Sequence, residues 1–271
     1  MAISTPDLYT LLNRTPEPER PRYRGQTWIS LFGEGPADIE GLLEIAGPFV
    51  DRAKIAYGCA ILTSTETQKE INSILQNAGV DTYPGSSLLE MAHHFGHYEA
   101  FLDWAQGVGF GSVEVADGVI EITDSERSDL ISQAVSAGFN VTTVVQEVIR
   151  KPVIDVVPLN ERIDRAKRDL DAGASCVHIV FQAIARGEVP SDLVGPIKIQ
   201  QAERLAEDVG QENLAWEAAS LEDQLTYLRC FGSDVNLAHV QPNTAVQLAA
   251  QRRGLGYESF WSEVWKRPHW S

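Results

Sequence analysis

SVEVADGVIEITDSERSDLISQAVSAGFNVTTVVQ, residues 112–146, contains the repeating unit on which the fold reading rests. Its first four residues and its last seven are β-rich runs, and between them Thr123 and Glu126 have the spacing of a helix capping box. Leu130, Ile131, Ala134 and Val135 then recur at three- and four-residue spacing, the stripe a helix needs to lie on a sheet. Strand, helix and strand in this order predict two parallel strands joined by a helical crossover.

Outward from this unit the pattern repeats. Runs at Thr27–Phe32, Val50–Gly58, Asp81–Tyr83, Ser112–Val115, Asn140–Gln146, Cys176–Phe181, Asn213–Glu217 and Asn236–Val240 read as eight strands alternating with amphipathic segments. Thr63 with Glu66, Ser87 with Glu90, and Ser220 with Asp223 supply further helix starts. The expectation is an α/β fold with a parallel sheet, and 271 residues suit one (β/α)8 barrel of about 250 residues. An open doubly wound sheet is the alternative. The glycine run Gly107-Val-Gly-Phe-Gly111 precedes a strand rather than following one, so it reads as a helix end, and no nucleotide cofactor is expected. Residues 1–24 read as an N-terminal arm, 25–256 as the barrel, and 257–271 as an aromatic tail packing on the barrel or on another copy of the chain in a homo-oligomer.

A net charge of −16 argues against nucleic acid and anionic membrane surfaces, which need clustered Lys and Arg. Three widely spaced cysteines, Cys59, Cys176 and Cys230, fit thiols in a reducing compartment. With neither a basic-then-apolar leader nor an apolar run of membrane-spanning length in the sequence, a cytoplasmic protein is expected.

In a barrel the strand ends converge on one pocket, which gathers Lys54, Glu114, Asp117, Glu217, Asn236 and His239 as candidates. Lys54 interrupts an apolar run and needs a carboxylate or an anionic ligand beside it. Glu114 and Asp117 are spaced to hold a Mg²⁺ ion or to divide acid and base work, although Asp117-Gly118 also reads as a turn. Glu217 follows Trp216 at the end of a buried strand, a costly place for an unpaired carboxylate. His239 reads either as an anion-binding donor or as a satisfied core histidine. Glu90 reads foremost as the capping partner of Ser87, Cys59 as a buried thiol, and His93, His94 and His97 as a solvated helix end.

The blocks Pro21-Arg-Tyr-Arg-Gly25, Val113-Glu-Val-Ala-Asp-Gly118, Trp216-Glu-Ala218, Phe231-Gly-Ser-Asp-Val-Asn-Leu237 and Arg253-Gly-Leu255, in this order, resemble the phosphosulfolactate synthase family. The resemblance implies a (β/α)8 barrel and a Mg²⁺-dependent addition of sulfite to phosphoenolpyruvate through an enolic intermediate. Lys54, Glu90, Glu114, Asp117, Glu217 and Asn236 match polar positions of its motifs, with Asp117 and Glu90 as the metal candidates. Other positions depart from the pattern. The first-strand acidic residue is replaced by Leu31 or Phe32, a threonine by Cys59, and the Glu-x-Arg-Glu block by Val180-Phe-Gln182-Ala183. The expectation is altered chemistry on a small anionic carboxylate or phosphorylated acid. Lys54, Glu114 and Glu217 would be catalytic, and Asn236, His239, Gln182 and Cys59 would contact the substrate. The chain also resembles the family's plant heat-stress-associated branch, which makes a non-catalytic binding or stress-protection protein the alternative.

Overall fold

The computed structural model describes residues 20–146, 157–181 and 191–260. Its first crossover follows the sequence closely. Strand β1 (Thr27–Leu31) leads to helix α1 (Pro36–Ala46), and β2 (Arg52–Ile55) leads through the short α2 (Cys59–Leu62) to α3 (Thr65–Asn77). Strand β3 (Asp81–Pro84) precedes α4 (Ser86–His94) and α5 (Tyr98–Gly107), and β4 (Ser112–Val115) precedes α6 (Asp124–Ser136). Then come β5 (Asn140–Val145), α7 (Leu159–Asp171), β6 (Cys176–Ile179), α8 (Ser191–Val209), β7 (Leu214–Glu217), α9 (Leu221–Phe231), β8 (Asn236–Val240) and α10 (Ala245–Arg252).

All seven strand ladders are parallel, in the order β3-β2-β1-β8-β7-β6-β5-β4. The remaining seam, β3 to β4, is bridged by the Ser112 hydroxyl donating to the Asp81 carboxylate. The result is a nearly closed (β/α)8 barrel, and the open-sheet alternative is set aside.

Helix starts obey local hydrogen bonding. At α6, Thr123 Oγ1 accepts from Glu126 N–H at 3.2 Å while the Glu126 carboxylate accepts from Thr123 N–H at 2.9 Å. Ser220 caps α9 in the expected way. At α3 the cap is Ser64 rather than Thr63, one residue later than the spacing predicts. At α4 no side chain caps the helix, so the Ser87–Glu90 reading is corrected; Gly85 sits at that N-cap. A Cβ at Gly85 would stand 2.8 Å from the Tyr57 backbone nitrogen, so only glycine lets the β3 turn approach the β2 loop. The run 107–111 is a helix end and turn, with Gly109 in the left-handed region.

Alternation along the strands sorts two environments. Ile29, Leu31, Ala53, Ile55, Val113, Val115, Val141, Val177, Ile179, Trp216 and Leu237 face the helices in one continuous apolar core. There Trp216 stacks on Tyr227 and Phe231 of α9 at ring separations of 5.2 and 5.3 Å. The opposite faces line the barrel interior, which is polar, with Trp28, Cys176, Ala215 and Ala238 as its apolar floor.

The end of the expected arm is not loose. Arg22 is buried and its guanidinium meets Asp51 at 2.7 Å, tying residues 20–25 across the amino end of the barrel. Residues 1–19 and the tail beyond 260 lie outside the described residues, and Tyr257 and Phe260 at the start of the tail are exposed.

Candidate active site

The third residues of β2, β4 and β6 point into the barrel and meet. Lys54 Nζ lies 2.7 Å from Glu114 Oε2. His178 places Nδ1 3.8 Å from Glu114 Oε1 and Nε2 2.8 Å from Glu217 Oε2. Glu217, at the end of β7, has its other oxygen 3.6 Å from His239 Nδ1. Five ionisable side chains from five strands thus form one chain of alternating basic and acidic groups: Lys54, Glu114, His178, Glu217, His239.

Exposure divides this chain. The side chains of Glu114 and His178 are 0% and 3% exposed, whereas Lys54, Glu217 and His239 are 14%, 29% and 24% exposed. Two buried groups therefore stand behind three that solvent reaches. Trp28 closes the interior below, with Tyr83 and His178 ring centroids each 6.4 Å away.

The electrostatics follow from this packing. Burial favours the neutral form of Glu114, yet Lys54 and His178 outweigh it and hold the carboxyl at about 2. Burial likewise opposes charge on His178, but Glu114 and Glu217 prevail and its basicity is raised. Glu217 is lowered, burial being overcome by His178 and His239. For His239 burial wins, supported by the Lys54 and His178 cations against the pull of Glu217, so it is lowered from 6.5 and neutral at pH 7.

Hydrogen bonding in the interior is incomplete. Among the described residues, Ser30 Oγ, Glu114 Oε1 and both His178 ring nitrogens are buried without an aligned hydrogen-bond partner. The 2.8 Å contact of His178 with Glu217 has the length of a charge-assisted bond without its alignment. Ser30 pairs with Lys54 in the β1–β2 ladder, so its hydroxyl shares the inward face. Orphan groups of this kind mark positions where a ligand oxygen or a water completes a bond.

Above the chain is an aromatic rim. Phe32, just past β1, lies 5.7 Å from the Tyr57 ring and 5.9 Å from the His239 ring. Tyr57 and His239 are the only positive-φ residues other than glycine among the described residues, at 50° and 58°. Such a backbone costs a non-glycine residue about 1–3 kcal/mol and concentrates where function holds it. At His239 it coincides with a bulge: Thr27 pairs with Leu237 but Ile29 pairs with Val240, so β8 carries one extra residue.

The other expected site residues lie elsewhere. Asp117 is buried among arginines, 2.9 Å from Arg165 and 3.4 Å from Arg127, and Arg127 also grips Asp169 at 2.7 Å. Glu90 is buried and accepts backbone N–H bonds from Val119 and Ile120, fixing the loop after β4. Among the described residues no group of three His, Cys, Asp or Glu side chains is placed to hold a metal ion. Asp117 and Glu90, the expected Mg²⁺ candidates, are thus each engaged by protein groups, Asp117 by arginines and Glu90 by backbone N–H groups. Asn236 is corrected in place: it opens β8 at the amino end, bonded to Gln26 N–H and Leu214 C=O, far from the strand carboxyl ends. A cavity of about 540 Å³ lies at that end, but its Arg22 and Arg52 are already paired with Asp51 and Asp81. Cys59 begins α2, half-buried, with Sγ 3.5 Å from Phe32 C=O. Gln182 lies outside the described residues. His93 and His94 end α4, with partners Tyr98 and Phe95 rather than the barrel interior.

One central group escaped the sequence reading. His178 stands in Cys176-Val-His-Ile179, an otherwise apolar strand run. A titratable ring there is a signal of the same kind as Lys54, since burying it without partners is costly. Leu31 and Phe181 pack in the helix-facing core, whereas Val180 joins Ala116 and Val144 in a small apolar cluster.

Known proteins can be set beside this geometry. The chain is similar to the phosphosulfolactate synthase of Methanocaldococcus jannaschii, 31% identical over 238 residues, covering 88% of this chain and 94% of that one. It is equally similar to that of Methanothermobacter thermautotrophicus, 31% identical over 242 residues, covering 89% and 93%. In fold it resembles the solved 3-hexulose-6-phosphate synthase of Salmonella typhimurium at a TM-score of 0.54 and 16% identity, covering 84% and 93%. The family model described as (2R)-phospho-3-sulfolactate synthase (ComA) matches residues 15–258, and the chain therefore belongs to the phosphosulfolactate synthase family.

Proposed function

We propose that this barrel is an enzyme acting on a small anionic carboxylate or phosphorylated acid by enolate-type proton transfer or addition/elimination, with chemistry altered from the reaction that names the family. The chain Lys54–Glu114–His178–Glu217–His239 carries this reading, because it places cationic stabilisation and proton-accepting groups within one water-poor interior. Lys54 holds the substrate anion and stabilises the oxyanion that develops on enolisation. Glu114 fixes the Lys54 amine by an ion pair at 2.7 Å, and Glu217 faces the reacting end. The replaced acidic position at Leu31 or Phe32 and the replaced Glu-x-Arg-Glu block at Val180-Phe-Gln182-Ala183 support the change of chemistry.

The test is hydrogen–deuterium exchange at C3 of pyruvate in D₂O, followed by NMR with and without Mg²⁺ and a chelator. Lys54→Ala, Glu114→Ala and Glu217→Ala should each slow exchange about 10²–10⁴-fold; undiminished exchange in all three would overturn the assignment. Phosphoenolpyruvate with sulfite and Mg²⁺ should give no phosphosulfolactate, and its formation would restore the family's own reaction. The small apolar cluster Ala116–Val144–Val180 favours the second reading, a binding or stress-protection barrel, which predicts no exchange at all. Free thiols at Cys59, Cys176 and Cys230 support a reducing, cytoplasmic setting. Among the described residues no helix is long and apolar enough to cross a membrane.

A further inference from the structure

We infer that His239 is the proton-transferring group of this site, oriented by Glu217, and that His178 is a positioning residue acting on it through Glu217. This rests on the enolate reading above and assigns its base. Three observations place His239. The β8 bulge and its left-handed backbone turn the ring toward the interior instead of leaving it in strand register. Nδ1 is the ring nitrogen facing Glu217, 3.6 Å from Oε1, so a modest approach of the two would put the proton of the neutral ring on Nδ1 and leave Nε2 free to accept a proton. Phe32 flanks the ring, its centroid 5.9 Å away, on the solvent side of the site.

A carboxylate behind one ring nitrogen fixes tautomer and orientation while the other nitrogen does chemistry. Here the carboxylate is itself faced by the buried His178 at 2.8 Å, whose raised basicity favours the ionised form of Glu217. The charged groups facing His239 are Lys54 of β2, Glu114 of β4, His178 of β6 and Glu217 of β7. In the forward step Nε2 takes a proton from the carbon beside the substrate carbonyl. The C–H electron pair forms the enolate C=C, and the carbonyl pair moves to an oxyanion beside Lys54. Return of a proton from Nε2 to carbon reverses it, with no oxidant or reductant required.

The experiment uses the full chain labelled with ¹⁵N-histidine, the His239 signals being assigned by their loss in His239→Gln. At pH 7 the Nδ1–H tautomer is expected, titrating below pH 6.5, and Glu217→Gln should shift the ring toward the Nε2–H form. A dominant Nε2–H tautomer, or an imidazolium at pH 7, overturns the proposal. In the pyruvate exchange assay His239→Gln should lose about 10²–10⁴-fold in rate with pyruvate binding retained, and added imidazole should restore part of it. His178→Gln should lower the rate and move the pH profile of exchange. Wild-type exchange rates in His239→Gln would overturn the proposal. If the unmodified chain exchanges nothing yet shows the expected tautomer, the enolate chemistry fails while the His239–Glu217 pairing stands.

Discussion

Two buried ionic networks diverge from the carboxyl end of β4, and they are built differently. Asp117 joins Arg127, Arg165 and Asp169 in the wall, where arginine forks take carboxylates pairwise and Arg127 also donates to Val144 C=O at 2.9 Å. Three residues earlier, Glu114 joins Lys54 and the histidines of the interior, where Glu114 Oε1 and His178 keep unaligned polar atoms. The wall network uses guanidinium, which does not titrate near neutrality, and fills its hydrogen bonds; it braces helices. The interior network uses groups that titrate, leaves bonds open and touches solvent at one side. Saturation, rather than burial or charge, separates the two.

The largest effect that would test this contrast is in the wall. Arg127→Ala leaves Asp117 and Asp169 buried without their shared cation and should cost about 3–5 kcal/mol in urea unfolding. A loss below about 1 kcal/mol would make the wall network dispensable. Next comes acid sensitivity. Glu114 is held near 2 against an ordinary 4.5, so its stabilisation is present above pH 4.5 and fades as pH falls toward 2. Glu114→Gln should flatten that acid limb by roughly 3 kcal/mol. His178 has the opposite sign: raised above 6.5, its contribution is full below that pH and fades as pH rises, and His178→Gln should remove this alkaline loss.

Lys54→Met should cost less than the arginine, about 1–2 kcal/mol, because His178 still faces Glu114. Equal losses at Lys54 and Arg127 would erase the distinction between bracing and poised networks. Smallest is Asn236→Ala, expected to lose about 1 kcal/mol through two backbone bonds and to leave pyruvate exchange unchanged. Slowed exchange there would move the site toward the amino end.

The eight strands and most helix starts were legible because they depend on local order: alternation, stripes at helical spacing, and caps such as Thr123 with Glu126. Where a single residue could serve two hydrogen-bonding plans, spacing misled. Glu90 is the right distance from Ser87 for a cap, yet its carboxylate reaches the backbone of Val119 and Ile120, a loop 29 residues away. Asp117 and Glu114 look equivalent in Val113-Glu-Val-Ala-Asp117, and only the inward or outward direction of each side chain divides interior from wall. Asn236 failed for a related reason: a strand has two ends, and a residue that opens the strand lies opposite the one that closes it.

Sequence alone determined the barrel, its polar interior positions at Lys54, Glu114 and Glu217, and membership of a family whose motifs lie in the same order. Each of these follows from patterns within a few residues of one another, or from blocks read one after another along the chain. Tertiary structure decided which charges meet. Strand register set His178 between Glu114 and Glu217, and a one-residue bulge brought His239 to the same carboxylate. Those are distances across the barrel between residues 22 to 64 positions apart, where through-space Coulomb forces and desolvation act and local pattern carries no record.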